Sequence, residues 1–120
     1  MSTTQDLLVK ARELGLALAA HPSVRAHLAA QQAARTDADA RQLLYEYQAQ
    51  LQHIDQLRAA QQPIEAAERQ RLRDLENRMA GQESVKNLLR TQADYAALMA
   101  QVNEAIDGPL SELKAGETPA

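Results

Sequence analysis

A chain of 120 residues is about one domain long, and at this size we expect a single hydrophobic core of modest volume. Its formal net charge of -3 gives the whole molecule no attraction to nucleic acid or to an anionic membrane. The absence of cysteine excludes disulfides, thiolate catalysis and cysteine-ligated zinc or iron–sulfur sites within the chain.

The first predicted helix runs from about Thr4 to Ala20. Its apolar residues recur on one helical face, at Leu7, Ala11, Leu14 and Leu18. Charged residues interrupt the segment, so it is predicted to be neither a signal peptide nor a membrane span, and we expect a cytoplasmic protein. His21-Pro22 interrupts the helical pattern, and Ser23 is the predicted N-cap of a second helix.

Two further helices are predicted in the middle of the chain. Cap chemistry at Asp37 favours a helix start there, although a continuous helix through this point is an alternative. The helix from Asp39 to about Ala60 carries apolar residues at steps of four and three: Ala40, Leu44, Tyr47, Leu51 and Ile54. Gln61-Gln62-Pro63 predicts a turn, after which a helix from Ile64 to Ala80 ends at Gly81, the predicted left-handed C-cap.

The last helix has the most regular pattern in the chain. Spacings of three and four alternate without interruption through Val85, Leu88, Gln92, Tyr95, Met99, Val102 and Ile106. Such a heptad row predicts that the helix packs against another helix. Gly108-Pro109 is predicted to end it, which leaves a single helical domain over residues 1–110 and a flexible tail over residues 111–120.

One segment of the sequence is similar to a second segment later in the chain. Ser23 to Ala33 aligns with Ser84 to Asp94 at an offset of 61 residues, with Ser, Val, a basic residue, Leu and Gln in common. Each segment follows a break and begins a predicted helix. A minor internal duplication is one interpretation, and chance similarity between low-complexity helices is the other.

Histidine, serine and glycine do not occur at the sequence spacings that catalytic or metal-binding sites require. His21, His27 and His53 lack a second histidine or carboxylate at a metal-binding spacing. The serines are predicted to be caps or terminal residues, and the glycines form no phosphate-binding loop. We therefore predict no catalytic residue, no cofactor and no metal, and expect that the chain is not an enzyme.

Arginines on the fourth predicted helix alternate with acidic residues. Glu65 with Arg69, Glu68 with Arg71 and Asp74 with Arg78 are spaced to pair along the helix surface. A solvated, salt-bridged face is therefore favoured, and direct nucleic-acid binding is not. A nucleic-acid-binding helical module stays as an alternative if the fold gathers the basic residues of the N-terminal segment on one surface, namely Lys10, Arg12, Arg25 and Arg35.

The apolar residues of the helix from Asp39 to about Ala60 spread over more than one of its faces, which is more than a single neighbouring helix would cover. This distribution predicts an all-α fold of long antiparallel helices in a small bundle that is completed by oligomerisation, as a dimer or larger. The alternative is that these apolar residues form only the core of a monomeric bundle. The candidate residues for helix packing and for the interface are Leu44, Tyr47, Leu51, Ile54, Val85, Leu88, Tyr95, Met99, Val102 and Ile106.

Features along nearly the whole chain, from about residue 5 to 110, resemble the YlbF/YmcA family of bacterial proteins. They are the Leu14-Gly15 pair, the break before Ser23-Val24, the helix start from Asp37 to Leu43, the Pro63-Ile64-Glu65 turn, Ser84-Val85-Lys86, Tyr95, and Val102-Asn103 with Ile106. The resemblance implies long antiparallel helices that assemble into dimers or larger complexes.

The resemblance also implies a regulatory function. In some bacteria members of this family join a complex that modulates a membrane-associated ribonuclease, and so affect mRNA processing, competence, biofilm formation and sporulation. Certain members use cysteines where that complex carries iron–sulfur clusters, whereas this chain has no cysteine. We therefore expect an adaptor that binds proteins, such as a ribonuclease complex, without a cofactor; a structural, self-assembling helical protein without a regulatory target is the alternative.

Overall fold

The computed structural model describes residues 3–117. Within this range the chain forms five α-helices and no strand: α1 (Thr3–Ala20), α2 (Pro22–Thr36), α3 (Ala38–Ala59), α4 (Ala66–Gly81) and α5 (Glu83–Glu117). The prediction of an all-α fold is confirmed. Two compact units are distinguished: a terminal unit of the residues up to His27 and from Thr91 onward, and a central unit from Leu28 to Arg90.

The core of the central unit lies where α3 packs against α4. It consists of Ala40, Leu43, Leu75, Met79 and Val85, with Leu44 and Tyr47 packed against it. Alanine at the fully buried position 40 lets the neighbouring helix approach closely, and leucine and methionine fill the remaining volume. The apolar row predicted for the third helix therefore packs against apolar residues of α4 within one chain.

A single residue, Asp37, separates α2 from α3. Its backbone is extended, and its Oδ1 accepts hydrogen bonds from the backbone N–H groups of Asp39 at 3.1 Å and Ala40 at 3.2 Å. This is N-cap geometry, in which a side chain satisfies amide groups that have no partner within the helix. The predicted cap is confirmed, and the alternative of a continuous helix is wrong.

The junction between α4 and α5 is Gln82. Its backbone is extended, its N–H group donates to Met79 O at 3.2 Å, and its side-chain Oε1 accepts from the Val85 N–H group at 2.9 Å. The prediction of a left-handed cap at Gly81 is wrong, because Gly81 is the last residue of α4 and does not have a positive φ. A left-handed residue is unnecessary here because one extended residue already separates the two helices.

The two junctions are connected through the Asp37 carboxylate. Its Oδ2 accepts hydrogen bonds from Gln82 Nε2 and from the Ser84 hydroxyl, each at 2.9 Å. We call Asp37, Gln82 and Ser84 the junction cluster. The Gln82 amide, then the Ala40 N–H group and the Ser84 hydroxyl, hold the pKa of Asp37 below its ordinary value, because these donors favour the ionised carboxylate.

A left-handed residue does occur at the end of α3. Gln61 has a φ of 56°, its N–H group donates to Arg58 O at 3.0 Å, and the Gln62 N–H group donates to Leu57 O at 2.8 Å. This pair of bonds is the Schellman motif, whose left-handed position is usually occupied by glycine. The predicted turn is confirmed, with a residue at Gln61 that lacks glycine's conformational freedom.

Replacing Gln61 with glycine is therefore expected to stabilise the central unit. The left-handed conformation costs a residue with a Cβ atom on the order of 1 kcal/mol, partly offset by the greater freedom of glycine in the unfolded chain, so we expect a gain of roughly 0.5–1 kcal/mol. Urea denaturation followed by circular dichroism measures it. Gln62→Gly is the matched control and should lower stability; an equal loss in both variants would contradict the assignment.

The break between α1 and α2 is capped by a histidine. His21 Nδ1 accepts the Ser23 backbone N–H group at 3.0 Å, and His21 O receives the N–H groups of Val24 and Arg25. Pro22 occupies the first helical position, where its missing N–H group would have no partner within the helix. The prediction that Ser23 is the N-cap is wrong by two residues, because the histidine ring nitrogen already satisfies the first amides.

The last helix is longer than predicted. α5 continues through Pro109 to Glu117, so the prediction that Gly108-Pro109 ends the helix is wrong. A proline removes one hydrogen bond and crowds the preceding turn, and a helix with good helix formers on both sides can continue past it. The predicted flexible tail partly falls on residues 118–120, which lie outside the described residues.

Candidate interaction surface

Helix α1 carries large apolar side chains on opposite faces and has no buried residue. Leu7, Leu14 and Leu18 share one face, as the sequence predicts. Val9 and Leu16 are seven residues apart and lie on the other side of the helix. Leu16 is 60 % exposed and Leu7 is 67 % exposed. Apolar residues on two faces of a helix are normally covered by neighbouring helices, and on α1 they are exposed.

Exposure increases along the heptad row of α5. Val85 is fully buried in the central unit. In the terminal unit, Tyr95, Met99 and Val102 are half-buried, and Ile106 is 49 % exposed. The row continues beyond its predicted end through Leu110 and Leu113, which are also exposed. We call the exposed apolar residues of the terminal unit the terminal apolar set: Leu7, Leu8, Val9, Leu14, Leu16, Ile106, Leu110 and Leu113.

Within the terminal unit, α2 contacts α5 through a buried histidine. His27 Nδ1 lies 3.3 Å from the Thr91 hydroxyl, and its ring stacks on Tyr95 with ring centroids 5.1 Å apart. Both His27 and Thr91 are buried. A stacked aromatic pair with a satisfied polar atom fixes the relative position of two helices better than aliphatic contacts alone. Stacking on His27 of the same chain thus accounts for the partial burial of Tyr95.

A polar contact connects α3 to the beginning of α4 in the central unit. The buried Gln50 donates through Nε2 to Glu68 Oε2 at 2.8 Å and to Glu68 O at 3.1 Å, and His53 Nε2 lies 3.3 Å from Glu68 Oε1. The Gln50 hydrogen bond is the main reason that the pKa of Glu68 lies below its ordinary value, against the opposing effect of desolvation. Each carboxylate oxygen of Glu68 thus has a partner on α3, and the contact joins the two helices.

The arginines of α4 do not form a separate basic face. Arg78 Nη1 lies 3.5 Å from Glu46 Oε2 of α3, and Asp74 accepts a hydrogen bond from Gln70. The predicted pairing of Asp74 with Arg78 along the helix is therefore wrong, because Arg78 contacts Glu46 across the helix pair and Asp74 accepts its hydrogen bond from Gln70. The charge of Arg71 helps lower the pKa of Glu68. The two charges therefore interact, as the predicted pairing of Glu68 with Arg71 requires.

The candidate residues predicted for packing and for the interface differ in their burial. Ile54 and Val85 are buried, and Leu44 and Tyr47 pack against the core of the central unit. Leu88, Tyr95, Met99 and Val102 are half-buried, whereas Leu51 and Ile106 are exposed. The first four residues therefore serve packing within the chain. An intermolecular role for the others stays a prediction.

Sequence reasoning missed several members of the terminal apolar set. Val9 and Leu16 fall outside the single apolar face assigned to the first helix, although their spacing of seven residues is itself a helical signal. Leu110 and Leu113 lie beyond Gly108-Pro109, the predicted end of the helix, so the prediction does not include them. The junction cluster was also missed, since nothing in the sequence places Asp37 beside Ser84.

No group of three or more histidine, cysteine, aspartate or glutamate residues lies close enough to hold a metal ion in the described part of the chain. None of the helices within residues 3–117 is both long enough and apolar enough to cross a membrane. The described residues include exposed leucines and a valine on α1, and an exposed isoleucine and leucines on the second half of α5.

Comparison with known families agrees with the resemblance in the sequence. A family described as control of competence regulator ComK, YlbF/YmcA, matches residues 7–111, which include α2, α3 and α4 and most of α1 and α5. Comparison with curated proteins finds no match. The matched segment spans most of the chain. The chain therefore belongs to the YlbF/YmcA family, which is linked to control of the competence regulator ComK.

Proposed function

We propose that this protein is a non-enzymatic regulatory adaptor that acts through protein–protein contacts as a homo-oligomer. The regulatory part of this proposal follows from the family, which is linked to control of a competence regulator. The adaptor part follows from the helix surfaces, and it assigns no catalytic residue. A ribonuclease complex is the partner that the family resemblance suggests.

The exposure of α1 is the observation that carries the proposal. The helix has five large apolar residues that are 38 % or more exposed, and none of its residues is buried. Monomeric proteins rarely leave large apolar patches in water, and exposed patches mark sites of interaction with proteins or membranes. Since the residues lie on both sides of α1, a partner that surrounds this helix accounts for them better than a flat lipid surface does.

Charge supports a protein partner over a nucleic acid. The net charge of the chain is -3. Two arginines of α4 interact with carboxylates: Arg78 contacts Glu46, and the charge of Arg71 helps lower the pKa of Glu68. Affinity for phosphate depends on clustered, uncompensated positive charge. The ribonuclease complex is therefore proposed as a protein target, and the absence of cysteine means that this chain supplies no thiolate ligand to an iron–sulfur cluster in it.

Affinity purification from the native cell tests the adaptor function. We expect the wild-type chain to recover a ribonuclease subunit or another family member, identified by mass spectrometry. Leu16→Asp should reduce this recovery roughly tenfold or more, because it places a charge in an apolar contact. Leu89→Asp is the matched control, since Leu89 is 47 % exposed but lies in the central unit.

The structural alternative makes a different prediction. A self-assembling protein without a regulatory target would recover only itself, and deletion of its gene would leave mRNA processing and competence unchanged. An altered transcript pattern after deletion, restored by wild type and Leu89→Asp and not by Leu16→Asp, is the result expected of the adaptor. An unchanged pattern would contradict it.

A further inference from the structure

The junction between α1 and α2 depends on the protonation state of one side chain. His21 is the single residue between the two helices, and its Nδ1 accepts the Ser23 backbone N–H group at 3.0 Å. Because a backbone N–H group can only donate, this Nδ1 must carry a lone pair, and the ring must be neutral with its proton on Nε2. In the protonated ring both nitrogens are donors. The side-chain cap on α2 therefore exists only in the neutral form.

The contacts of the other two histidines do not have this requirement. His27 Nδ1 lies 3.3 Å from the Thr91 hydroxyl, which can accept a hydrogen bond as well as donate one. His53 Nε2 lies 3.3 Å from Glu68 Oε1, and a carboxylate accepts from a neutral or a protonated ring. Of these three contacts, the cap at His21 is the one that protonation removes.

Few charged or titratable groups surround the junction. Those that flank His21 along α1 and α2, or lie on α5 beside its contact with α2, are Glu13, Arg25, Asp94, Tyr95 and Glu104. Residues 14–20 are uncharged, and Asp94 and Glu104 are exposed. Arg25, one helical turn after the ring, is the charged residue closest to His21 along the chain. A protonated ring would thus precede a like charge by four residues, which is an unfavourable spacing on a helix.

The helix dipoles do not decide the outcome. His21 follows the carbonyl end of α1, which favours a positive charge, and precedes the amide end of α2, which opposes one. These two effects offset each other. The directional hydrogen bond from Ser23 is therefore what couples the junction to protonation.

We propose that the α1–α2 junction is a pH-sensitive hinge, in which the neutral His21 side chain caps α2 and protonation releases α1. Histidine is the side chain that changes charge between pH 5 and 8. At the alkaline end of this range the cap is complete. At the acidic end it is lost, the first turn of α2 frays, and α1 can turn about His21 and Pro22. The consequence for partner binding rests on the proposed function, because Leu16 lies on α1; the hinge itself does not.

Amide hydrogen exchange tests the cap. The Arg25 N–H group, which donates to His21 O at 3.0 Å, reports on the first turn of α2. The Arg41 N–H group donates to Asp37 O at 2.9 Å and is the matched control in α3, whose capping carboxylate stays ionised because its pKa lies below its ordinary value. Between about pH 7.5 and about pH 5.5 we expect the protection factor of Arg25 to fall about fivefold and that of Arg41 to stay constant.

Two substitutions separate protonation of His21 from other effects of acid. Asparagine is a good N-cap and does not titrate, so His21→Asn should keep Arg25 protected at both pH values. His21→Ala removes the side-chain cap and should give low protection at both. Circular dichroism verifies that the variants remain helical. A parallel fall in wild type and His21→Asn would assign the response to another group, such as His27, and would overturn the hinge.

Movement of α1 is measured by the distance between two spin labels, which can be placed freely because the wild-type chain has no cysteine. Ala11→Cys and Ala26→Cys put one label on an exposed position of α1 and one on an exposed position of α2, both in the terminal unit. We expect the distance distribution to broaden as the pH falls with His21 present and to stay unchanged with His21→Asn. An unchanged distribution in both would contradict the release of α1.

The hinge and the adaptor function can fail separately. Release of α1 lowers the fraction of binding-competent protein, so recovery of the cellular partner at about pH 5.5 should fall up to about fivefold for wild type and not for His21→Asn. A pH response in exchange and distance, with no partner recovered at either pH, would sink the adaptor function and leave the hinge. A partner recovered equally by both proteins, with no exchange response, would overturn the hinge and leave the adaptor function.

Discussion

Replacing Leu75 with alanine is expected to lower the free energy of unfolding by roughly 2–5 kcal/mol, the usual cost of a leucine cavity in a packed core. Leu75 is 2 % exposed and lies among Ala40, Leu43 and Val85 where α3 meets α4. The core has few large side chains, so its neighbours cannot fill the space that the leucine leaves. Urea denaturation followed by circular dichroism gives the difference.

Leu89→Ala is the matched control for this experiment. It removes the same atoms from a leucine that is 47 % exposed and is not among the buried core residues. We expect a loss of less than about 1 kcal/mol, because much of the side chain is already in water. Equal losses for the two variants would show that the α3–α4 contact does not form the core of the central unit.

Replacing Asp37 with alanine is expected to have the largest effect among the polar residues. The carboxylate caps α3 and accepts hydrogen bonds from Gln82 and Ser84, so its removal leaves four donors without this acceptor. We expect the melting temperature to fall by several degrees, on the order of 5–10 °C for a domain of this size. Thermal unfolding monitored by circular dichroism measures the change.

Asp37→Asn separates the two contributions of this side chain. Asparagine is nearly as good an N-cap as aspartate, so the bonds to Asp39 and Ala40 can persist. Its amide group, however, would face the donors of Gln82 and Ser84. We expect an intermediate fall in melting temperature, with the loss of the contact between the two junctions. A melting temperature equal to that of wild type would show that the junction cluster contributes nothing.

The contribution of Asp37 should depend on pH in a defined direction. Its pKa is lower in the folded protein than the ordinary value of about 3.9, so folding favours the ionised form. The stabilisation is complete above that ordinary value and is lost as the pH falls through the lower folded pKa. The difference in melting temperature between wild type and Asp37→Asn should thus be constant from pH 7 to 5 and shrink below about pH 4.

The exposed apolar surface of the terminal unit and the buried core of the central unit are built from the same residue types. Leu75 of α4 is buried where α4 packs against α3, whereas Leu14 of α1 is 38 % exposed. Exposed apolar surface is unfavourable in an isolated chain and favourable once a partner covers it. The terminal unit of this chain presents such surface on α1 and on the second half of α5.

The helices themselves could be predicted from the sequence because their signals are local. Apolar residues at steps of three and four, proline at position 22, the turn at Gln61-Gln62-Pro63 and the cap at Asp37 each act within a few residues. The errors occurred where two local signals competed. Glycine at position 81 suggested a left-handed cap, and proline at position 109 suggested a helix end, but neither residue forces that outcome.

What the sequence determined by itself was the all-helical class, most helix boundaries and the family, because helical periodicity and capping depend on neighbours along the chain. Only the tertiary structure decided which apolar rows are covered: Val85 and Ile54 are buried, while Leu16 and Leu113 are exposed. It also decided that Asp37 meets Gln82 and Ser84. Burial and polar contacts between distant residues depend on how helices pack, and periodicity alone cannot specify which helix faces which.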